Sequence, residues 1–366
     1  MKAVARWLLV VCALIVAMVA VGGITRLTNS GLSIVEWAPI VGIIPPTNDQ
    51  TWQHAFAQYK QYPQYQMRTT PMELAEFKSI FFWEYAHRLL GRLIGLAFFI
   101  PWGYFMLRRR IASRTSWQLA GVGLLGAVQG GIGWYMVKSG LQTQPHVSHY
   151  RLALHLVTAL TMLGWLAYVR ADLLAPSQVP DVARPNAARG LRNVARLLLV
   201  VLTIQIIYGA FVAGLHAGYI YNTWPTMYGQ WFPSASWDDA LSYRNWIDNP
   251  AVVQFVHRVV AYVFVVLVTI FCAYAARVSL RSATRQWIYG VGVLTLVQVG
   301  LGIATLLTLV TLPLAALHQT CGALLVATLS VAIHGLRTPR VVLDRETEIT
   351  LTSELNAPDS KSPSRT

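Results

Sequence analysis

The run Phe81–Arg110, FFWEYAHRLLGRLIGLAFFIPWGYFMLRRR, stays apolar through most of its length, carries a single histidine near its start and stops on three consecutive arginines. Its core at residues 84–107 is long enough to cross the roughly 30 Å hydrocarbon layer of a bilayer as one helix. The rest of the chain repeats the pattern. Apolar runs near residues 4–23, 117–137, 151–173, 194–214, 253–276, 286–308 and 313–336 bring the expected number of spans to eight. The first follows Lys2 and Arg6 as a secretory signal would. It is too long for one, and no small-residue cleavage pattern closes it before Gly22-Gly23, so a retained helix is expected.

Composition agrees. Of 366 residues 55% are hydrophobic and 12% charged, against about 25% charged in a typical soluble domain, and mean hydropathy is +0.47. This excludes a disordered chain and argues against a soluble enzyme. The formal charge of +14 would suggest nucleic acid in a soluble protein, but here the charges are sided. Arg108, Arg109, Arg110 and Arg114 stand unopposed after the second span. Arg170, Arg184, Arg189, Arg192 and Arg196 outnumber Asp172 and Asp181 after the fourth, and Arg277, Arg281 and Arg285 follow the sixth. The alternate loops are neutral or acidic: 24–83 balances bases with acids, 215–252 sets Arg244 against Asp238, Asp239 and Asp248, and 309–312 carries no charge. Positive loops remain cytoplasmic, so both termini are expected inside and no nucleic acid is needed to explain the basicity. Residues 337–366, polar and rich in Ser, Thr and Pro, are expected to be a disordered tail. Cys12, Cys272 and Cys321 lie in apolar runs without ligand spacing and read as core residues.

The first outer loop, 24–83, is dense in aromatics (Trp37, Trp52, Phe56, Tyr59, Tyr62, Tyr65, Phe81, Phe82, Trp83) and carries Pro39, Pro45 and Pro46. It suits a structure at the headgroup level, either a lid or a simple anchor.

Polar residues expose an internal repeat. His87-Arg88 recurs as His257-Arg258, VQGGIG at Val128–Gly133 as VQVGLG at Val297–Gly302, Leu154-His155 as Leu317-His318, and Gly31 and Trp37 as Gly218 and Trp224, all in preserved order. Two fused units with an even number of crossings keep the same orientation, so two four-helix bundles related by a pseudo-twofold axis along the membrane normal are expected. The fold class is all-α, polytopic, with an N-terminal half at 1–175, a linker at 176–192 and a C-terminal half at 193–336.

Ionisable groups inside a membrane are functional candidates by default. His87, His155, His257 and His318 each fall within about five residues of the outer start of an even-numbered span, roughly 7 Å along it. They share one depth, two per half. Paired imidazoles without a cysteine or second carboxylate suit axial ligation of heme iron better than tetrahedral zinc; for any one histidine alone a satisfied core hydrogen bond is the plainer alternative. Gly91 and Gly95 follow His87 at i+4 and i+8, clearing a surface for a flat macrocycle, while Gly130, Gly131, Gly133, Gly300 and Gly302 allow close approach or ordinary small-residue packing. Arg88, Arg92 and Arg258 place cations at the outer end, where heme propionates would emerge. The repeat breaks at one position: Glu84 stands three residues before His87, Gln254 three before His257. A carboxylate on one side only fits acid/base chemistry in one half; an i, i+4 pair with Arg88 is the structural alternative.

These residues lie in stretches that resemble the heme A synthase family, of the type without a cysteine pair in the outer loop: GGITRLTNSGLSIVEWAPI at Gly22–Ile40, Pro45-Pro46, FKSIFFWEYAHRLLGRLIG at Phe77–Gly95, NTWPTM at Asn222–Met227, QFVHR at Gln254–Arg258 and LHQTCG at Leu317–Gly322. The resemblance spans nearly the whole chain. It implies oxidation of the C8 methyl of heme O to a formyl group with oxygen from water, giving heme A for cytochrome oxidase. It also implies heme b held by His257 and His318, heme O between His87 and His155, Glu84 in catalysis, and a bacterial inner-membrane location. Partners it implies are a heme O synthase and an electron acceptor. Residues 24–83 contain no cysteine, so no relay through a cysteine pair operates here. The rival reading is a di-heme b-type cytochrome that only passes electrons.

Overall fold

The computed structural model describes residues 1–36, 41–140, 147–175 and 185–337. Trp37, Pro39, most of the 176–192 linker and the tail from 338 onward lie outside the described residues.

Eight helices are long and apolar enough to cross a membrane: α1 (Lys2–Leu27), α4 (Leu74–Leu107), α5 (Ser113–Gly140), α6 (His149–Leu174), α7 (Pro185–Gly214), α9 (Pro250–Ala276), α10 (Ser282–Leu307) and α11 (Leu312–Gly335). Three short helices, α2 (Asp49–Tyr59), α3 (Pro63–Gln66) and α8 (Asn245–Asp248), belong to the loops. Among the described residues the only bridge pairing outside helices joins Met227 to Gln230. Backbone groups in lipid must be satisfied within the segment, which is why every span is helical.

The order of packing repeats. Helix α1 packs on α4, α6 and α11, and α7 packs on α9, α11 and α6; α5 lies against α6, and α10 against α11. The central pair is α6 and α11, whose backbones come close where a Cβ at Gly164 would stand 2.8 Å from Ser330 Oγ. Apolar side chains from both halves, among them Leu8, Ile15, Leu163, Leu198, Phe271 and Leu329, form one continuous buried cluster. At the end remote from the four histidines, Asp172 of α6 accepts from Arg337 and lies 3.2 Å from His334 Nε2 of α11. Arg170 Nε donates to the Ala5 carbonyl at 3.2 Å.

Two boundaries differ widely from the sequence reading: α7 runs from Pro185, nine residues before the expected 194 and into the expected 176–192 linker, and the second span also starts early. The second span begins at Leu74, ten residues before the expected 84, because its first turns are amphipathic and are buried by protein instead of lipid. Phe77 and Phe81 pack with Phe56, Tyr59 and Met72 in a separate small core, with Trp52, Tyr65, Ile34 and Val35 against it. Helix α2 starts on an Asn48–Thr51 capping box. The aromatic loop is thus a folded cap seated on the protruding end of α4. Its burial raises the Tyr59 hydroxyl to about 12.

Candidate functional site

The four histidines lie on α4, α6, α9 and α11, three of them within the first eight residues of their helix and His87 thirteen residues beyond Leu74, and each ring rests against a glycine of the membrane span that precedes it. A Cβ at Gly22 of α1 would lie 3.1 Å from His87 Nε2, and one at Gly133 of α5 3.2 Å from His155 Cε1. In the second half, Cβ atoms at Gly209 of α7 and Gly302 of α10 would lie 3.1 Å from His257 Cε1 and 2.9 Å from His318 Cε1. The same seat is built four times. The structure brings His87 within electrostatic reach of His155, and His257 within reach of His318.

One turn before three of these glycines stands a glutamine. Gln298 Nε2 lies 3.4 Å from His318 Nε2, and the Gln298 carbonyl accepts from His318 Nδ1 at 3.1 Å. A carbonyl can only accept, so the proton sits on Nδ1 and Nε2 keeps its lone pair, the form a metal ligand requires. Gln205 Nε2 lies 3.3 Å from His257 Nε2. In the first half Gln129 donates to the His155 main-chain carbonyl at 3.0 Å, and Met18 takes the fourth place, its Cε 3.4 Å from where a Gly91 Cβ would be. His155 Nδ1 is buried without a hydrogen-bond partner. Gly22, Gly209 and the glutamines were not singled out in the sequence reading. Their signal is the i, i+4 spacing Gln-x-x-x-Gly, which recurs at Gln129/Gly133, Gln205/Gly209 and Gln298/Gly302.

Of the other expected residues, Gly95 faces open space, with nothing within 4 Å of an added Cβ, as do Gly130, Gly131 and Gly300. Arg92 is partly buried one turn beyond Arg88. Glu84 is 2% exposed, and the i, i+4 pair is formed: Arg88 Nη2 donates to Glu84 Oε1 at 2.5 Å. The other oxygen, Oε2, accepts from Ser33 Oγ and from the Ile34 amide, both at 2.8 Å. Arg88 also donates to the Ile34 carbonyl at 2.8 Å and the Glu36 carbonyl at 3.2 Å. Glutamate and arginine together strap the cap to α4.

The second half repeats the strap with neutral chemistry. Gln254, 3% exposed, donates to the Ala217 and Tyr221 carbonyls at 3.0 and 3.2 Å. Arg258 donates to the carbonyls of Tyr221 and Thr223, both at 2.9 Å. Both arginines are therefore engaged with loop backbone. Among the described residues no group of three or more His, Cys, Asp or Glu is placed to hold a metal.

These features define an all-helical multi-pass membrane protein. The model of the family described as cytochrome oxidase assembly protein (COX15-CtaA) matches residues 5–330. The chain belongs to that family. It is 47% identical to a heme A synthase of Nitrosospira multiformis, over 92% of this chain and 94% of the relative. It is 46% identical to one of Rhodospirillum centenum, over 92% and 89%, and 48% identical to one of Methylobacterium radiotolerans, over 87% and 85%.

Proposed function

We propose that this chain is a heme A synthase that oxidises the C8 methyl of heme O to a formyl group in two successive two-electron oxidations, with water supplying the oxygen. The observation that carries the reading is the fourfold seat: four imidazoles, two in each half, each on a glycine of the preceding span, in a chain of this family. Two imidazoles per half are a donor set that would hold heme iron, and His318 already has the tautomer that leaves Nε2 free to ligate.

In this reading residues 1–175 and 193–336 are two functional halves related by a pseudo-twofold axis. His257 and His318 hold heme b, which when bound supplies a one-electron redox centre. His87 and His155 hold the substrate. Heme O is the bulkier of the two porphyrins, and the first half has the roomier helix face: Gly91 and Gly95 follow His87 where Ala261 and Val265 follow His257. Arg88, Arg92 and Arg258 put positive charge at the outer end of each pocket, where propionates would be neutralised.

Glu84 would receive protons released as the methyl is oxidised. The neutral strap at Gln254 supports this, since it shows that a loop can be fixed to this helix without a carboxylate. Ser33, Ile34 and Arg88 hold the carboxylate in place, and burial excludes bulk water from it. We place the protein in the bacterial inner membrane with both termini cytoplasmic, supplied by a heme O synthase and delivering electrons to an acceptor. The deciding experiment is extraction and chromatography of pigments from the membrane-expressed protein: hemes O and A beside heme b are expected. Heme b alone would mean a di-heme cytochrome instead.

A further inference from the structure

Two contacts one residue apart on α1 join the pockets of the two halves. Gly22 lies under the His87 ring, and its neighbour Gly23 lies under Gln319 of α11, where a Cβ would come within 2.9 Å of Oε1. Gln319 follows His318 in the chain, and its Nε2 donates to the Val19 carbonyl of α1 at 2.9 Å. A single half-buried amide therefore ties the helix that seats one half's histidine to the residue beside the other half's histidine.

The repeat supplies its own control. Where α7 meets α6, Gly209 seats His257, the next residue is Ala210, and the residue after His155 is Leu156. Leu156 packs in the cluster that contains Ala210. The equivalent contact is apolar: it fills space but fixes no direction, whereas a hydrogen bond between helices fixes both distance and orientation. Only one of the two crossings is polar.

We propose that Gln319 is a positioning residue that couples the two heme sites, so that occupancy between His87 and His155 is registered at the His257–His318 pair. The proposal rests on the heme reading above. A displacement of α1 when the His87 pocket fills would move Gly23 and the Val19 carbonyl together, and the amide would carry that shift to the turn holding His318. Such coupling is reciprocal.

The test uses the full-length protein in nanodiscs, carrying heme b and titrated with heme O, with the electron paramagnetic resonance g values of heme b as the readout. In the wild type, addition of heme O is expected to shift those g values. Gln319→Leu, which copies the apolar crossing, should retain both hemes by extraction and lose the shift. Gly23→Ala should do the same from the other side of the contact, by pushing the amide off Val19, and it decides the matter if Gln319→Leu does not accumulate. A wild type that loads both hemes without any shift, or a shift that persists in a loaded Gln319→Leu or Gly23→Ala protein, overturns the proposal alone. A wild type that takes no heme O, or His257→Ala protein that retains heme b normally, overturns the heme reading and this proposal with it.

Discussion

The two halves use the same strap with opposite chemistry. At the outer end of α4, a carboxylate collects three donors, from Ser33, Ile34 and Arg88. At the outer end of α9, an amide donates to two carbonyls while Arg258 gathers others. Both residues are buried and both hold the loop that follows the preceding helix. Loop anchoring accounts for a polar residue at this position, but it does not account for a charge, because the second half manages without one. A buried ionised group is costly to desolvate, and it persists where something beyond packing selects it. The comparison separates the structural duty of Glu84 from the proton-accepting role proposed for it.

Removing a ligand should have the largest effect. His257→Ala or His318→Ala is expected to abolish retained heme b, while His87→Ala should keep heme b and lose heme O; the ratio of extracted pigments distinguishes them. If either variant in one half emptied both halves equally, the division of labour would be wrong.

Exchanging the strap residues comes next. Glu84→Gln should abolish heme A production with heme b still bound, and unchanged heme A output would refute the carboxylate's role. Because one oxygen must serve both Ser33 and Ile34, the new amide nitrogen would face Arg88, at a cost of about 1–3 kcal/mol visible as a lower melting temperature. The converse change, Gln254→Glu, sets a carboxylate against the Ala217 and Tyr221 carbonyls. It should destabilise the second half without creating any activity there.

The glycine seats should give a graded effect. Gly302→Ala and Gly209→Ala force a Cβ against a ring that is meant to present a nitrogen, and disturbed support of a ligand typically costs about 10–100-fold in metal affinity. Slower heme b uptake in both variants is expected, with Gly302→Ala the worse because its contact is tighter.

The smallest effect lies at the outer junction of the halves. Asp248 of α8 accepts from the Tyr150 hydroxyl at 2.6 Å and from Arg244 Nε at 2.7 Å, and lies 3.2 Å from His149 Nε2. Burial pushes its carboxyl up, but these bonds and the charges of Arg244 and His149 outweigh it and hold it below the ordinary value. A carboxyl depressed in the folded state stabilises above its unfolded pKa, about 3.9, and that stabilisation is lost as pH falls through the folded value. The melting temperature of the wild type should therefore drop more steeply than that of Asp248→Asn as the medium is acidified below about pH 4.

The cap on α4 shows where pattern reading stops. The aromatic density of 24–83 announced something other than a plain connection, yet the entry point of the second span was placed ten residues late, at 84 instead of Leu74. The segment LAEFKSIFFW is apolar on one face only, and its partners, Phe56, Tyr59 and Met72, come from elsewhere in the loop. Arg88 and Arg258 show the same limit. Their position marked them as outer cations, but their donors go to loop carbonyls that no helical spacing could have indicated.

Eight spans, the duplication and the four histidines are local properties: hydropathy run length and residue order are written along the chain. Which surfaces meet is not, because a helical period puts residues on a common face without naming the neighbour that face will find. Only the folded chain placed Gly22 under His87, enclosed Glu84 with Ser33 and Ile34, and set Gln319 across from Val19 while its counterpart Leu156 packed in the apolar cluster of Ala210. Each of those contacts joins segments far apart in sequence, and it exists because two helices approach closely at a residue with no side chain or because a loop folds back onto a helix end.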